Sequence, residues 1–170
     1  KNNNALKYYG LTLKVVHQSI KYSKVFENST IICTMPYPRN EMNIKEYVFL
    51  LKEVIDCLVR KGAKVVLKPH PRELDYKEMY SSLNCVLFDK RDLSLESIMA
   101  SYTIESIIGF SSTSLITSSL LFDIKSISLL GLQESSNFGK KIGGEMKDFE
   151  DIFSDFVSMP NSMLELKEIL

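Results

Sequence analysis

The chain has 170 residues, 45% of them apolar and 25% charged, with a formal net charge of zero. A single domain of that length buries roughly 70% of its unfolded surface, and a neutral balance leaves no broad electrostatic footprint for nucleic acid or an anionic membrane. No apolar run approaches the roughly 20 residues of a membrane span, and no secretory signal is visible.

Residues 1–29 are polar and mixed, with an Asn-rich start, and read as a linker, an interdomain segment or an extra helix. That leaves 30–170 as the domain. TIICTM (30–35) is a buried strand stopped by PYPRN. From Met42 to Lys61 the apolar positions Ile44, Tyr47, Val48, Leu51, Val54, Ile55 and Leu58 recur at helical spacing, and Gly62 supplies the stop. AKVVLK (63–68) is the second strand, ended by Pro69, and a short helix over about 75–82 follows. CVLF (85–88) is a third strand, and SLESIMAS (94–101) is a helix with Ser94 as its cap. IESIIGF (104–110) is a fourth strand, SSTSLITSSLLF (111–122) a helix, and KSISLL (125–130) a fifth strand. GKKIGG (139–144) reads as a loop before two closing helices over about 148–157 and 161–169. In the first of these, Phe149, Ile152, Phe153 and Phe156 take the spacing of an apolar face. Strands alternating with helices predict right-handed βαβ crossovers, and hence a Rossmann-like α/β domain: a parallel sheet with helices on both faces.

Cys33, Cys57 and Cys85 form no CxxC pair and sit in apolar contexts, which predicts reduced thiols and a cytoplasmic chain. The two histidines, His17 and His70, have no metal-like spacing with them, so no zinc site is expected.

In such sheets ligands bind beyond the carboxyl ends of the strands. Three groups of polar residues fall there. Lys68 and His70 follow the second strand in VVLKPHPRE (65–73); Glu96 lies in the helix after the third; Ser111, Ser112 and Thr113 follow the fourth and open the next helix. A helix N-terminus leaves backbone N–H groups unpaired and carries partial positive charge, which suits a phosphate. Gly109 would let the backbone approach a ligand closely, and the Ser111 and Ser112 hydroxyls add donors. Either serine could equally be no more than the helix cap. Pro69 and Pro71 keep His70 out of both strand and helix. Its imidazole, near pKa 6.5, could be protonated by a neighbouring anion and then donate to it, with Lys68 and Arg72 holding the same anion. A turn histidine bonded to local carbonyls is the competing reading. Glu96 could take ribose hydroxyls, or be a solvated helix-face charge.

KPHP (68–71), LSLES (93–97) and GFSSTS (109–114) together resemble the HP and S motifs of bacterial sialyltransferases, both the capsule polysialyltransferases and the lipooligosaccharide enzymes. The resemblance covers about residues 60–130. It implies the C-terminal, CMP-sialic acid-binding half of a two-domain GT-B glycosyltransferase. By that resemblance His70 would contact the donor phosphate and stabilise departing CMP, and Ser111 and Ser112 would bind the same phosphate. Glu96 would hold the ribose, with Lys68, Pro71, Gly109 and Thr113 also near the nucleoside. The partners implied are a nucleotide-sugar donor and a glycan acceptor.

The family's acidic general base, in a short acidic motif ending in glycine, has no counterpart in this sequence. The expectation is therefore a donor-binding half whose N-terminal GT-B partner domain lies outside this chain, a view its opening on Lys1 favours. Any membrane association would come through other parts of the protein. No DxD motif is present and the leaving group would be a monophosphate, so no metal or other cofactor is expected. Two other readings stay open: a CDP-alcohol phosphotransferase of the teichoic-acid type, and a non-catalytic sugar-nucleotide-binding module. A hydrolase fits poorly, because GFSST is not the GxSxG elbow and His70 precedes the serines.

Overall fold

A computed structural model describes residues 24–36, 44–90, 93–133 and 152–170. Strands β1 (Ser29–Cys33), β2 (Lys64–Lys68), β3 (Val86–Leu87), β4 (Ile104–Gly109) and β5 (Lys125–Ser128) alternate with helices. The helices are α1 (Ile44–Arg60), α2 (Tyr76–Met79), α3 (Leu95–Ser101), α4 (Thr113–Phe122), α5 (Leu130–Gln133) and α6 (Met163–Ile169). All five strands pair in parallel, in the order β3-β2-β1-β4-β5. This is the Rossmann-like sheet that the alternation predicts. Because β1 sits in the middle, the chain moves one way from β1 to β3 and the other way from β4 to β5. The strand order thus reverses between β1 and β4, where open α/β sheets leave a crevice for ligands.

The strands are short, and most of their residues are buried, as befits a parallel sheet covered on both faces; apolar side chains share those positions with small hydroxyls such as Ser29, Thr30, Ser106 and Ser126. Ile31 lies opposite Val66 and Ile107, while Ile32 lies opposite Leu67 and Ile108. Alternation along each strand therefore sorts the core into two layers. Ile31, Val66 and Ile107 pack with Phe26, Ile98 and Leu115 on the α3–α4 side. Ile32, Leu67, Ile108 and Ile127 pack with Leu51, Val54, Ile55 and Leu166 on the α1–α6 side. Each such side chain contributes roughly 1.5–3 kcal/mol by leaving water.

Helix α1 buries Tyr47, Leu51, Val54, Ile55 and Leu58 of the stripe that its periodicity foretells, while Val48 is partly buried and Ile44, at the helix start, is exposed. Gly62, at φ +82°, closes it: the Gly62 N–H reaches the Val59 carbonyl at 2.9 Å and the Ala63 N–H reaches that of Leu58 at 3.0 Å. Ser94 caps α3 by accepting from the Ser97 amide, as expected.

The structure differs from the sequence reading at several edges. β1 ends at Cys33, and α4 begins at Thr113 with Ser112 as its cap. Helix α5 occupies the end of the expected fifth strand. The helix expected over 148–157 ends early, for residues 154–157 are in turns and a bend. Among its expected apolar-face residues, Ile152 and Phe156 are 62% and 41% exposed, and Phe153 alone of the described ones packs against the core. The reason is a strand-like contact just beyond. The Ser128 N–H donates to the Ser158 carbonyl at 2.8 Å and the Ser158 N–H to that of Ser126 at 2.9 Å. This extends the sheet past β5 and draws Val157 into the core. The GKKIGG loop and residues 1–23 of the expected linker lie outside the described residues. Of the remainder of that segment, Phe26 is fully buried and meets the Phe88 ring edge-on at 4.6 Å. All three cysteines are free. Among the described residues, no helix is long and apolar enough to cross a membrane.

Candidate functional site

The two motif loops leave the sheet on the same rim. Lys68 ends β2 directly opposite Cys33 of β1, and Gly109 ends β4 on the other side of β1. With strands about 4.8 Å apart, the loop after β2 and the loop after β4 start roughly 10 Å from each other across β1. His70 lies two residues beyond Lys68, and Ser111 two beyond Gly109. The predicted residues therefore flank the point where the strand order reverses.

The loop after β2 is a tight turn built by its sequence. Pro71 presets the backbone at the second position of His70–Glu73, and the Glu73 N–H closes the turn on the His70 carbonyl at 3.0 Å. Within it the Arg72 N–H donates to His70 Nδ1 at 3.1 Å. That bond decides the ring's tautomer: with Nδ1 an acceptor, the neutral imidazole carries its proton on Nε2. Burial, then the charges of Arg72 and Lys68, push the His70 pKa below its ordinary 6.5. A neutral His70 already has an outward donor, and the cations beside it oppose a further positive charge.

Beneath the turn lies a polar cluster that sequence reasoning missed. Glu73 is 2% exposed. Its Oε2 accepts from the His70 amide at 3.0 Å and from the Thr34 hydroxyl, and its Oε1 accepts from the Tyr80 hydroxyl. Thr34 Oγ1 also accepts from the His70 amide at 3.0 Å. Tyr47 joins the cluster from α1: its hydroxyl accepts from the Met35 amide at 3.3 Å. Burial, with Glu73 adding, pushes the Tyr47 hydroxyl well up; burial, then Tyr47 and Glu73, does the same to Tyr80. Both stay protonated. The Tyr47 ring also packs on Phe110 at 5.4 Å, so one side chain links the segment after β1 to the loop after β4. The one local signal for this cluster was the HPRE tetrapeptide, a turn with proline second and an acid fourth. Its other members come from distant parts of the chain.

On the β4 side, Ser112 is the N-cap of α4, its Oγ accepting from the Ser114 amide at 3.3 Å. The capping reading thus holds for Ser112, and its own hydroxyl proton is not consumed by that bond. Ser111 and Thr113 are exposed at the same helix end. A methyl added at Gly109 would meet the Cys33 carbonyl at 3.4 Å and Leu115 at 3.7 Å, ordinary contact distances, so packing alone does not require a glycine here. Pro71 is exposed on the HP turn, while Lys68 is buried at the strand end. Glu96 stands in the first turn of α3, half-buried. Its charge is felt at the centre of the crevice: the Cys33 thiol is pushed up to about 12, chiefly by burial, with Lys68 pulling it down and Glu96 pushing it up.

The family model of alpha-2,8-polysialyltransferase (POLYST) matches residues 7–131, well over half of the chain. The chain belongs to this family. It is accordingly a sialyltransferase, a glycosyltransferase that takes a nucleotide-sugar donor and a glycan acceptor. The match to the polysialyltransferase model spans all five strands, both motif loops and Glu96. No curated protein matches the chain.

Proposed function

We propose that this chain is the donor-binding half of an inverting, GT-B-type polysialyltransferase that uses CMP-sialic acid in capsule or lipooligosaccharide synthesis. The observation that carries the reading is the pairing of two phosphate-suited groups at the reversal point of the sheet: a neutral imidazole donor after β2 and a capped helix N-terminus after β4. In the proposed step an acceptor hydroxyl oxygen attacks C2 of the donor sialic acid. The C2–O bond to the phosphate breaks, and CMP leaves with the electron pair. The hydroxyl's proton passes to a carboxylate from another part of the enzyme. Charge then grows on the CMP phosphate, where His70 Nε2–H, the Ser111 and Ser112 hydroxyls and the α4 amides neutralise it. Lys68 and Arg72 add positive potential without being consumed. Glu96 holds the ribose, and Pro71, Gly109 and Thr113 border the nucleoside. The alpha-2,8 linkage in the family's name makes the acceptor hydroxyl that of another sialic acid.

The donor reading is tested by calorimetry with CMP, CDP and UDP. CMP is expected to bind at least about tenfold more tightly than either diphosphate, a gap of about 1.4 kcal/mol. Preference for CDP would instead favour the CDP-alcohol phosphotransferase. Transfer by the complete enzyme is expected to survive EDTA, since protein donors and a helix end carry the phosphate charge. Loss of activity in EDTA and its return with magnesium would refute that part.

A further inference from the structure

The least explained group near the site is Glu73. A carboxylate removed from water is costly unless hydrogen bonds satisfy it, and an apolar residue there would avoid the cost altogether. Instead Glu73 takes the His70 amide, the Thr34 hydroxyl and the Tyr80 hydroxyl at once. It lies under the candidate phosphate site, too buried to reach a substrate itself. Its partners come from three directions: the end of β1, the turn that it closes, and the residue after α2. All three meet at the Glu73 carboxylate, and Thr34 shares the His70 amide with it.

We propose that Glu73 is a positioning residue, fixing the His70–Glu73 turn through the His70 amide so that the ring keeps Nδ1 on the Arg72 amide and presents Nε2–H to the donor phosphate. This rests on the CMP-sugar reading for the identity of the anion, but the ring's tautomer does not. The geometry assigns a chain of two bonds: Glu73 sets the turn, and the turn sets the tautomer. Loss of the carboxylate frees the His70 amide and loosens the turn. The Arg72 N–H then no longer points steadily at Nδ1.

The experiment measures the ring nitrogens of His70 by 15N NMR, with CMP calorimetry on the same samples. The chain has two histidines, so a His17→Asn background leaves one ring in the spectrum. In that background, unsubstituted at Glu73, the Nε2–H tautomer is expected to dominate at pH 7.5. Glu73→Leu is expected to average the two nitrogens and to weaken CMP binding at least about tenfold. Glu73→Gln keeps an acceptor oxygen for the His70 amide and should restore the tautomer and bring affinity back to within about threefold. If Glu73→Leu does not fold, Thr34→Val decides: it removes the shared hydroxyl and is expected to shift the tautomer in the same direction. An unchanged tautomer and unchanged CMP affinity in Glu73→Leu, or in Thr34→Val where that variant decides, would overturn the proposal. A parent chain that binds no CMP would sink the donor reading, leaving the tautomer alone to judge Glu73.

Discussion

His70 shows how much one backbone amide can decide about a side chain. Its neighbours Arg72 and Lys68 are positive, so a second proton on the ring meets repulsion as well as incomplete hydration. The folded pKa lies below the unfolded 6.5, so below about pH 6.5 the unfolded chain binds more protons at this site. His70 therefore contributes a loss of stability as pH falls through that range, and none above it. For binding, the neutral ring predicts CMP affinity that changes by less than about twofold between pH 7 and 8.5. A phosphate monoester is already mostly dianionic there, its second pKa being about 6. Cys33, pushed up to about 12, does not titrate in this range. An affinity that fell about tenfold per pH unit would mean that an imidazolium is required after all. His70→Ala should separate function from folding. The ring is partly exposed, so its loss is expected to cost about 1 kcal/mol or less, and to lower the melting temperature by about 4 °C at most. Ile107→Ala removes a fully buried side chain between β4 and the α3–α4 layer. It should cost about 2–5 kcal/mol. Equal losses in calorimetric melting would make His70 a structural residue.

At the scale of elements, α4 poses the sharper question, because Ser112 already has a structural task as its cap. Removal of a serine cap costs about 0.5–2 kcal/mol with alanine but only a few tenths with glycine. Ser112→Gly therefore keeps the helix end while deleting the hydroxyl. If that hydroxyl binds phosphate, both variants should lose CMP affinity about fivefold or more, with a clear melting shift in alanine alone. A glycine variant that binds like the parent would leave Ser112 as a cap only. The elements themselves were largely legible. Apolar β-branched runs ended by Pro69 or Gly109, and the stripe from Tyr47 to Leu58 ended by Gly62, carry their geometry in local spacing. Misread segments have tertiary causes. Residues 154–157 leave the helical pattern because Ser158 finds ladder partners on β5. The Glu73 cluster escaped notice because Thr34, Tyr47 and Tyr80 meet it only once the sheet has formed.

The whole molecule places the two motif loops on opposite sides of β1, a central strand with core layers on both faces. A ligand that touches both loops would link the crossover carrying His70 to the one carrying Ser112. That predicts a global stabilisation, since binding to the folded state alone adds about 2.7 kcal/mol at a hundredfold excess over Kd. For a chain of this size the melting temperature should rise by roughly 5–10 °C with CMP. Bridging also predicts non-additivity. If His70 and Ser112 grip one phosphate, loss of either removes much of the shift, and His70→Ala with Ser112→Gly together should remove little more than the stronger single change. Independent sites would give additive losses instead. Thermal scans of the two single variants and the double variant, each with and without CMP, distinguish these outcomes. Additive losses would mean that the two loops do not share an anion, and the donor site would have to be built from one of them alone.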